Sequence, residues 1–408
     1  MSRRHPAGVV VVGGGHAAGQ LAASLRQGGY TDSIKIVAGE NHIPYQRPPL
    51  SKQYLQDKCG LERVYLRQAK FYSDKNIECI TGEWVAEINV NSKEVVLEDG
   101  NRLGWQTLVL ATGSSNRILS IPGSNLEGIC SLRSISDCDE IKQKLFPGAR
   151  IAIIGGGYIG LEVAASCRGL GLDVVVIEVL DRVLARVVTP ELSYFFHNLH
   201  ESNGITIMND SVVESIERST CPQSVELRLA GGRSVPADLV LVGIGIEPNV
   251  ELARNAGLPC NDGILVDEYC RTEDESIFAI GDCSNQSSEL LGRSIRLECV
   301  PSAMEQARCA AATIAGSPMP NVSVPWFWSD QYDVKFQMAG FATEADSFVK
   351  REKQEVGSFM YFHFKNDVLL GSSSVNNPGE FLASRRLIGR RIAPDALADA
   401  EVDLRSLV

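Results

Sequence analysis

GVVVVGGGHAA at residues 8–18 and RIAIIGGGYIG at residues 150–160 share one pattern. Each segment begins with a run of apolar, mostly β-branched residues, continues through three glycines and opens a helical pattern. A second apolar strand follows each segment, at residues 34–37 and 173–177. Apolar strands that alternate with helices are typical of parallel sheets covered on both faces. The repeat therefore predicts an α/β fold with two Rossmann-like nucleotide-binding domains.

The first turn fits the dinucleotide fingerprint with Gly13, Gly15 and, in the third position, Ala18. Its glycines permit a tight turn and allow a pyrophosphate to approach the N-terminus of the following helix. Glu40 lies just past the second strand, where a carboxylate can accept hydrogen bonds from a ribose. An ordinary glycine turn is the alternative, but the strand, the helix, the second strand and the acid together favour nucleotide binding.

The second turn is a full fingerprint that begins at Gly155 and ends at Gly160. Glu178 ends the following strand, where a carboxylate can bind the 2′- and 3′-hydroxyls of NADH and repel a 2′-phosphate. We therefore expect NADH rather than NADPH, although Arg182 and Arg186 lie close in sequence. The other residues assigned to the NAD site are Gly157, Tyr158, Ile159 and Gly245.

The composition restricts the partners and the location of the protein. Among its 408 residues, 50 acidic and 39 basic side chains give a net charge of −11, whereas nucleic acids and anionic membranes require a basic surface. The apolar run Val9–Val12 is shorter than a signal-peptide core, and Leu239–Val242 is broken at once by Gly243. We expect a cytoplasmic protein that binds neither nucleic acid nor membrane.

The eleven cysteines are odd in number, and no two of them form a Cys-x-x-Cys pair. This spacing suits neither a disulfide framework nor a zinc or iron-sulfur site. We expect reduced thiols and no bound metal, so metal-centred redox chemistry would belong to another protein.

Further patterns predict two hairpins and the division of the chain into domains. Asp99-Gly100 and Gly231-Gly232 lie within alternating segments that favour antiparallel hairpins. After Pro325 the chain becomes rich in aromatic residues, which suggests a separate C-terminal α+β domain. The first nucleotide-binding domain is expected at residues 1–115 and 246–323. A second nucleotide-binding domain, at residues 116–245, is inserted in it. Residues 324–408 are expected to form a C-terminal interface domain.

Several motifs carry a family resemblance. The apolar strand that ends Ile280-Gly281-Asp282, paired with the first turn, resembles the FAD-binding segment of flavoproteins with a glutathione reductase-like fold. The resemblance becomes specific at PYQRPPLSK, LECV, EQA and WFWSDQY, which begin at residues 44, 297, 305 and 326. With these motifs the whole chain resembles the NADH-dependent ferredoxin reductases of bacterial cytochrome P450 and aromatic-ring dioxygenase systems.

The resemblance implies non-covalently bound FAD, NADH as co-substrate and an acidic [2Fe-2S] ferredoxin as partner. It places Lys52 and Glu162 beside the flavin ring, on opposite lobes, and Trp328 near the electron exit. Basic residues surround the face where the ferredoxin docks: Arg308, Lys335, Arg385 and Arg386. The remaining residues assigned to the FAD site are Ala17, Arg47, Ala111, Thr112, Gly113, Asp282, Glu298 and Val300.

Some of these assignments have alternatives. The Lys52–Glu162 pair could be a salt bridge that only joins the lobes, and Trp328 could be a plain core aromatic residue. Glu298 precedes a helix for which Ser302 and Glu305 fit a capping box, and it could simply pair with Arg296.

Rival functions remain open on the same scaffold. The first 58 residues contain no cysteine, which disfavours a dithiol reductase. A rubredoxin reductase, an NADH oxidase, or a partner-binding flavoprotein that resembles apoptosis-inducing factor are the alternatives. The chain could be a monomer or a homodimer.

Overall fold

The computed structural model describes residues 7–219, 221, 224–352 and 357–408. The chain divides into two compact units. The first combines the residues up to Gln46 with Leu61–Ser115 and Glu247–Pro325, and the second contains Arg47–Gly60, Asn116–Ile246 and Trp326–Val408. The segment from Arg47 to Gly60 thus groups with the second unit, and the three-domain division expected from the sequence stays a prediction.

The regular elements are numbered here in chain order. The strands are β1 Ala7–Val12, β2 Ile34–Ala38, β3 Ile77–Thr81, β4 Val85–Asn89, β5 Glu94–Leu97, β6 Arg102–Leu110, β7 Ser114–Asn116, β8 Ile129–Ser131, β9 Arg150–Ile154, β10 Asp173–Ile177, β11 Thr206–Met208, β12 Val213–Arg218, β13 Val225–Leu229, β14 Ser234–Ala237, β15 Leu239–Val242, β16 Ile246–Pro248, β17 Ile264–Val266, β18 Ile277–Ala279, β19 Ser284–Ser288, β20 Arg293–Ile295, β21 Trp326–Gln331, β22 Val334–Gly340, β23 Ser347–Glu352, β24 Phe359–Lys365 and β25 Val368–Val375. The helices are α1 His16–Gln27, α2 Ala69–Asp74, α3 Ile135–Lys144, α4 Tyr158–Gly169, α5 Pro190–Ser202, α6 Glu251–Asn255, α7 Val300–Ile314, α8 Pro378–Ser384 and α9 Pro394–Ala398.

The first unit is built on a mainly parallel sheet. Strands β3, β2, β1 and β6 lie side by side, and the far edge of β6 pairs with β5 near its start and with β18 near its end. Val9 and Val11 pack into one core cluster with Leu21 and Leu25 of α1, whereas Val10 packs into another. Side chains alternate along a strand, so an unbroken valine run is what a sheet buried on both faces requires.

The second unit contains two further sheets of interest. Strands β11, β10, β9, β15 and β8 form a parallel sheet, in which β9 and β10 flank the second glycine turn and its helix α4. Strands β12, β13 and β14 form an antiparallel sheet. The predicted hairpins at Asp99-Gly100 and Gly231-Gly232 are confirmed as β5–β6 and β13–β14.

The aromatic C-terminal region forms an antiparallel sheet in the order β21, β22, β25, β24 and β23, with α8 and α9 beside it. Phe336, Phe362 and Phe381 are fully buried, so the aromatic residues make the core of this region. The predicted fold class, an α/β chain with two Rossmann-like parts and a C-terminal α+β part, is confirmed.

The described ranges contain neither a membrane-crossing helix nor a metal-binding cluster. No helix in them is long and apolar enough to cross a membrane. They also contain no group of three or more histidine, cysteine or acidic side chains arranged to hold a metal ion. All eleven cysteines lie in these ranges, and each is a free thiol.

Candidate active site and nucleotide-binding turns

The first glycine turn connects β1 to α1. Gly13 has φ +117°, and a Cβ there would lie 2.1 Å from the carbonyl oxygen of Ala111, so only glycine fits. Gly15 precedes α1 without a side-chain cap, and a Cβ on it would meet nothing within 4 Å. The space before the helix is therefore open at its positive end, and the turn fits the pyrophosphate of a dinucleotide.

Other predicted residues gather at the same edge of the first sheet. Ala111, Thr112 and Gly113 follow β6, and Ile280 donates its main-chain N–H to Leu110 at 2.9 Å, which brings Asp282 to this edge. The hydroxyl of Ser114 donates to the Asp282 carboxylate at 2.9 Å. A Cβ on Gly281 would lie 3.2 Å from the Cβ of Ala17, so the start of α1 is adjacent.

Glu40 lies in a short bend just beyond β2. With Asp282, it is one of the two carboxylates assigned to the first site. The hydroxyl of Tyr45 donates to its Oε2 at 2.6 Å. This bond holds the carboxylate, which is half-buried.

The helix near Glu298 differs from the sequence expectation. Helix α7 begins at Val300, with Cys299 as its N-cap and Pro301 in its first turn, so the predicted capping box at Ser302 is wrong. Proline has no N–H and is favoured in the first helical turn, which places the helix start three residues earlier. Glu298 pairs with Arg296 at 2.5 Å, and the simple pairing considered for it is present.

The second glycine turn repeats the geometry of the first. Gly155 has φ +109°, and a Cβ there would lie 2.4 Å from the carbonyl oxygen of Gly243. Gly157 precedes α4 without a side-chain cap, and a Cβ on it would meet nothing within 4 Å. This helix start is open in the same way and fits a second dinucleotide.

The carboxylate of Glu178 is bound by its own loop. Its Oε2 accepts the N–H of Gly156 at 2.6 Å, and its Oε1 accepts that of Leu180 at 2.9 Å. The residue is buried, at 8% exposure. Arg182 donates to the main-chain oxygens of Ala185 and Val188, whereas exposed Arg186 approaches Gly245, with 3.5 Å between its Nη2 and a Cβ built on that glycine.

Lys52 and Glu162 form a largely buried ion pair. The ammonium lies 2.5 Å from Oε2 of the carboxylate, and their side chains are 15% and 6% exposed. Ser51 donates to the same oxygen at 2.6 Å, and Ser329 donates to Oε1 at 2.7 Å. Both carboxylate oxygens are therefore held, and removal of one partner of such a pair costs about 3–5 kcal/mol.

The expectation that this pair joins opposite lobes is corrected by the structure, because both residues belong to the second unit. The segment that carries Lys52 is fastened there by two bonds to its main chain. Ser166 of α4 donates to the carbonyl oxygen of Ser51 at 2.7 Å, and Cys138 of α3 donates to that of Leu50 at 3.3 Å. Arg47, in the same segment, donates to the main-chain oxygen of Arg133.

Aromatic residues surround the start of α4. The Tyr158 ring lies 4.5 Å from that of Phe327 on β21, and its hydroxyl donates to the sulfur of Met338 at 3.2 Å. Ile159, which follows it, is exposed at 41%. Half-buried Trp328 lies 5.6 Å, ring to ring, from Trp326.

The predicted docking residues belong to both units. The guanidinium of Arg385 lies over the Trp326 ring at 5.0 Å, with exposed Arg386 next to it at the end of α8. Lys335 is exposed, and its main chain bonds to Asn376, which lies just before α8. Arg385 and Arg386 follow the other end of that helix, which is roughly 10 Å long. Arg308 lies in the first unit and pairs with Glu305 at 2.6 Å.

Comparison with known proteins identifies the family. Residues 7–311 match the pyridine nucleotide-disulphide oxidoreductase model, and residues 326–408 match the reductase C-terminal model. The chain belongs to the pyridine nucleotide-disulphide oxidoreductase family. It is an oxidoreductase, and proteins of this family use FAD and a nicotinamide dinucleotide. The resemblance read from the sequence motifs is confirmed.

Several similar oxidoreductases are reductases of redoxins. Rhodocoxin reductase of Rhodococcus erythropolis is 39% identical over 97% of this chain and 93% of its own. The ferredoxin reductase of the CYP199A2 system of Rhodopseudomonas palustris superposes with a TM-score of 0.93, at 38% identity over 98% and 99% of the two chains. The reductase in a covalent putidaredoxin reductase–putidaredoxin complex gives 0.94, at 38% identity over 98% of each chain.

Sequence reasoning missed the polar residues that hold this oxidoreductase's ion pair, namely Ser51, Ser329, Gln331 and His200. A partial signal was present in β21. Ser329 and Gln331 are spaced by two residues and are both buried, whereas Asp330 between them is exposed. Inward-facing polar side chains on a strand need hydrogen-bond partners, and this requirement could have indicated a buried network.

Proposed function

We propose that the protein is an NADH-dependent ferredoxin reductase that passes electrons through FAD to a [2Fe-2S] ferredoxin. The ferredoxin would supply a cytochrome P450 or a ring-hydroxylating oxygenase. One observation carries the proposal: over nearly its whole length the chain superposes on a reductase captured with its redoxin, putidaredoxin. A cytoplasmic location and a monomeric or homodimeric state are part of the proposal.

The first unit supplies the groups that would hold FAD. The open start of α1 receives the pyrophosphate, Glu40 accepts hydrogen bonds from the adenosine ribose, and Asp282 accepts them from the ribityl chain. Thr112 bonds to the main chain of Asn249 at 2.7 Å and stiffens the adjoining loop. When bound, FAD accepts two electrons as a hydride from NADH and releases them one at a time.

The ion pair gives the proposal its electrostatic element. The Lys52 ammonium would stabilise negative charge that develops on the flavin, and Glu162, which is largely buried, balances the charge of the ammonium. Each turnover consumes one NADH and two oxidised ferredoxins and yields NAD⁺, two reduced ferredoxins and one proton. The chain must therefore align its two cofactors, and it needs no cysteine pair.

The second unit supplies the NADH site. The open start of α4 would receive the NADH pyrophosphate, and Glu178, which the N–H groups of Gly156 and Leu180 hold, would accept the ribose hydroxyls. Its negative charge disfavours a 2′-phosphate. Two N–H donors keep this carboxylate in place before the coenzyme arrives, and such preorganisation lowers the cost of binding.

The ferredoxin face is proposed around Trp328, Lys335, Arg385 and Arg386 of the second unit, and Arg308, which lies in the first unit, stays a prediction. The C-terminal region has more acidic than basic residues, so attraction depends on the local position of these cations. An acidic ferredoxin would be steered toward them, and its association would weaken with salt. The contact between Arg385 and Trp326 ties one of these cations to the tryptophan cluster.

The acceptor can be tested directly. The FAD-loaded protein is reduced anaerobically with NADH and mixed with purified [2Fe-2S] ferredoxins, rubredoxin or oxygen in a stopped-flow instrument. We expect at least one ferredoxin to reoxidise it about tenfold faster than the other acceptors, with a rate that falls as salt rises. Charge reversal in Arg385→Glu should raise KM for that ferredoxin and leave flavin reduction by NADH unchanged.

Contrary outcomes identify the rivals. Faster turnover with rubredoxin or oxygen would favour the corresponding reductase or oxidase. Slow reduction, a long-lived charge-transfer complex and dimerisation on NADH binding would favour a partner-binding flavoprotein.

A further inference from the structure

Glu162 ends a buried chain of hydrogen bonds. Ser329 donates to its Oε1 at 2.7 Å, Gln331 Nε2 donates to the Ser329 hydroxyl at 3.2 Å, and His200 Nε2 lies 2.7 Å from Gln331 Oε1. The three linking residues are at most 1% exposed. All of them lie in the second unit, on β21 and α5.

In this chain of hydrogen bonds, each residue donates to the next one in the direction of Glu162. The amide oxygen of Gln331 can only accept, so the His200 Nε2 must carry a hydrogen. Burial lowers the pKa of His200 to about 4, despite the bond to Gln331, so the ring is neutral near pH 7 and its Nδ1 is an acceptor. The Tyr332 hydroxyl lies 3.3 Å from Nδ1 and serves as the donor there, because burial raises its pKa to about 12.

The chain of hydrogen bonds through Ser329 holds one oxygen of the Glu162 carboxylate. Oε2 of Glu162 already binds Lys52 and Ser51, and the chain through Ser329 holds Oε1. Hydrogen bonds aligned in one direction polarise one another and strengthen in a low-dielectric interior. Two separately held oxygens leave the carboxylate no freedom to rotate, so Oε2 stays directed at the Lys52 ammonium.

We propose that His200, Gln331 and Ser329 are positioning residues that hold the Glu162 carboxylate against Lys52 and so set the rate of flavin reduction. The inference rests on the proposed function, because it requires that Lys52 act beside the flavin. It assigns a role to residues that need not touch either cofactor.

The direction of the chain can be tested in the unmutated protein. In ¹⁵N-labelled, FAD-loaded protein at pH 7, side-chain NMR should find His200 as the Nε2–H tautomer, with the signal assigned by its loss in His200→Gln. An Nδ1–H tautomer or a doubly protonated ring would overturn the proposal, because the chain would then be reversed or broken.

The effect on the site is tested with matched serines. Ser329→Ala should slow flavin reduction at saturating NADH about tenfold, as expected for a lost hydrogen bond to a charged group, with the Kd for NADH unchanged. It should also shift the flavin midpoint potential in the same direction as Lys52→Met. Ser329→Thr, which keeps the hydroxyl, should recover most of the rate, and Gln331→Leu should act like Ser329→Ala.

Ser373→Ala is the control. Ser373 is equally buried in the same antiparallel sheet and bonds to His363 at 3.0 Å, so its loss should affect stability and leave rate and potential unchanged. Equal rates in Ser329→Ala and Ser373→Ala would refute the positioning role. Failure of NADH to reduce the unmutated protein would instead refute the proposed function.

Discussion

The two glycine turns have the same first half and differ in the second. In both, the first glycine has positive φ and lies against a carbonyl oxygen at the end of the neighbouring strand. At the third fingerprint position the first turn has Ala18, which is fully buried, whereas a Cβ on Gly160 would lie 2.2 Å from the carbonyl oxygen of Gly155. Helix α4 thus approaches its turn more closely than α1 does.

The carboxylates of Glu178 and Glu40 also differ in the groups that hold them. Glu178 is bound by two main-chain N–H groups of its own turn and loop, and Glu40 is bound by the side chain of Tyr45. Glu178 is therefore held by backbone groups that no single side-chain replacement removes, whereas one bond to Glu40 comes from the side chain of Tyr45.

The largest expected effect comes from Gly160→Ala. The added methyl group would overlap the Gly155 carbonyl, so the turn must shift. We expect a loss of about 2 kcal/mol in the free energy of unfolding, as for an overpacked site, and roughly a tenfold rise in KM for NADH. Denaturant unfolding and steady-state kinetics measure the two effects.

Ala18→Gly is the matched change in the first turn. It adds helix-interior glycine, which costs about 1 kcal/mol, and should leave KM for NADH unchanged. Equal kinetic effects of the two substitutions would show that the turns do not differ in the way described.

Replacement of the second carboxylate should have an intermediate effect. Glu178→Gln removes the negative charge and leaves one acceptor for two N–H donors. The ratio of kcat/KM for NADH to that for NADPH should fall about tenfold, since a 2′-phosphate is no longer repelled. Glu40→Gln serves as the control, and a similar fall in that variant would contradict the assignment of the two sites.

Tyr45→Phe should have the smallest effect. It removes one hydrogen bond to Glu40, worth about 1 kcal/mol, and keeps the ring in its buried position. We expect FAD to dissociate a few times faster during dialysis, with unchanged KM for NADH. A changed coenzyme preference in this variant would argue that the first turn binds NADH.

The parts of the fold that could be predicted are those set by local sequence. The valine run before Gly13 and the apolar strand before Gly155 indicate buried parallel strands, and the two glycine-containing hairpin turns indicate their antiparallel neighbours. The start of α7 could also have been predicted correctly. Pro301 indicates a first helical turn, and this signal is stronger than the N-cap that Ser302 indicates.

The contacts that hold the ion pair could not be predicted, because their members are distant in sequence. Ser51 and Ser329 reach Glu162, and His200 joins them through Gln331, only after α4, α5 and β21 have packed together. No local pattern states which buried polar side chain meets which. The same reason explains why the grouping of Lys52 with the second unit was missed, since the bonds to Leu50 and Ser51 come from α3 and α4.

The pairing of β6 with β18 has a consequence for biosynthesis. Leu108 pairs with Ile277, so the whole segment Asn116–Ile246 is translated between the two strands. Until β18 is made, the last part of one edge of β6 has no strand beside it, and α1 lacks its partner α7. A nascent chain stalled in that segment therefore presents an unpaired strand edge and an uncovered apolar helix face, the features that chaperones recognise and that promote aggregation.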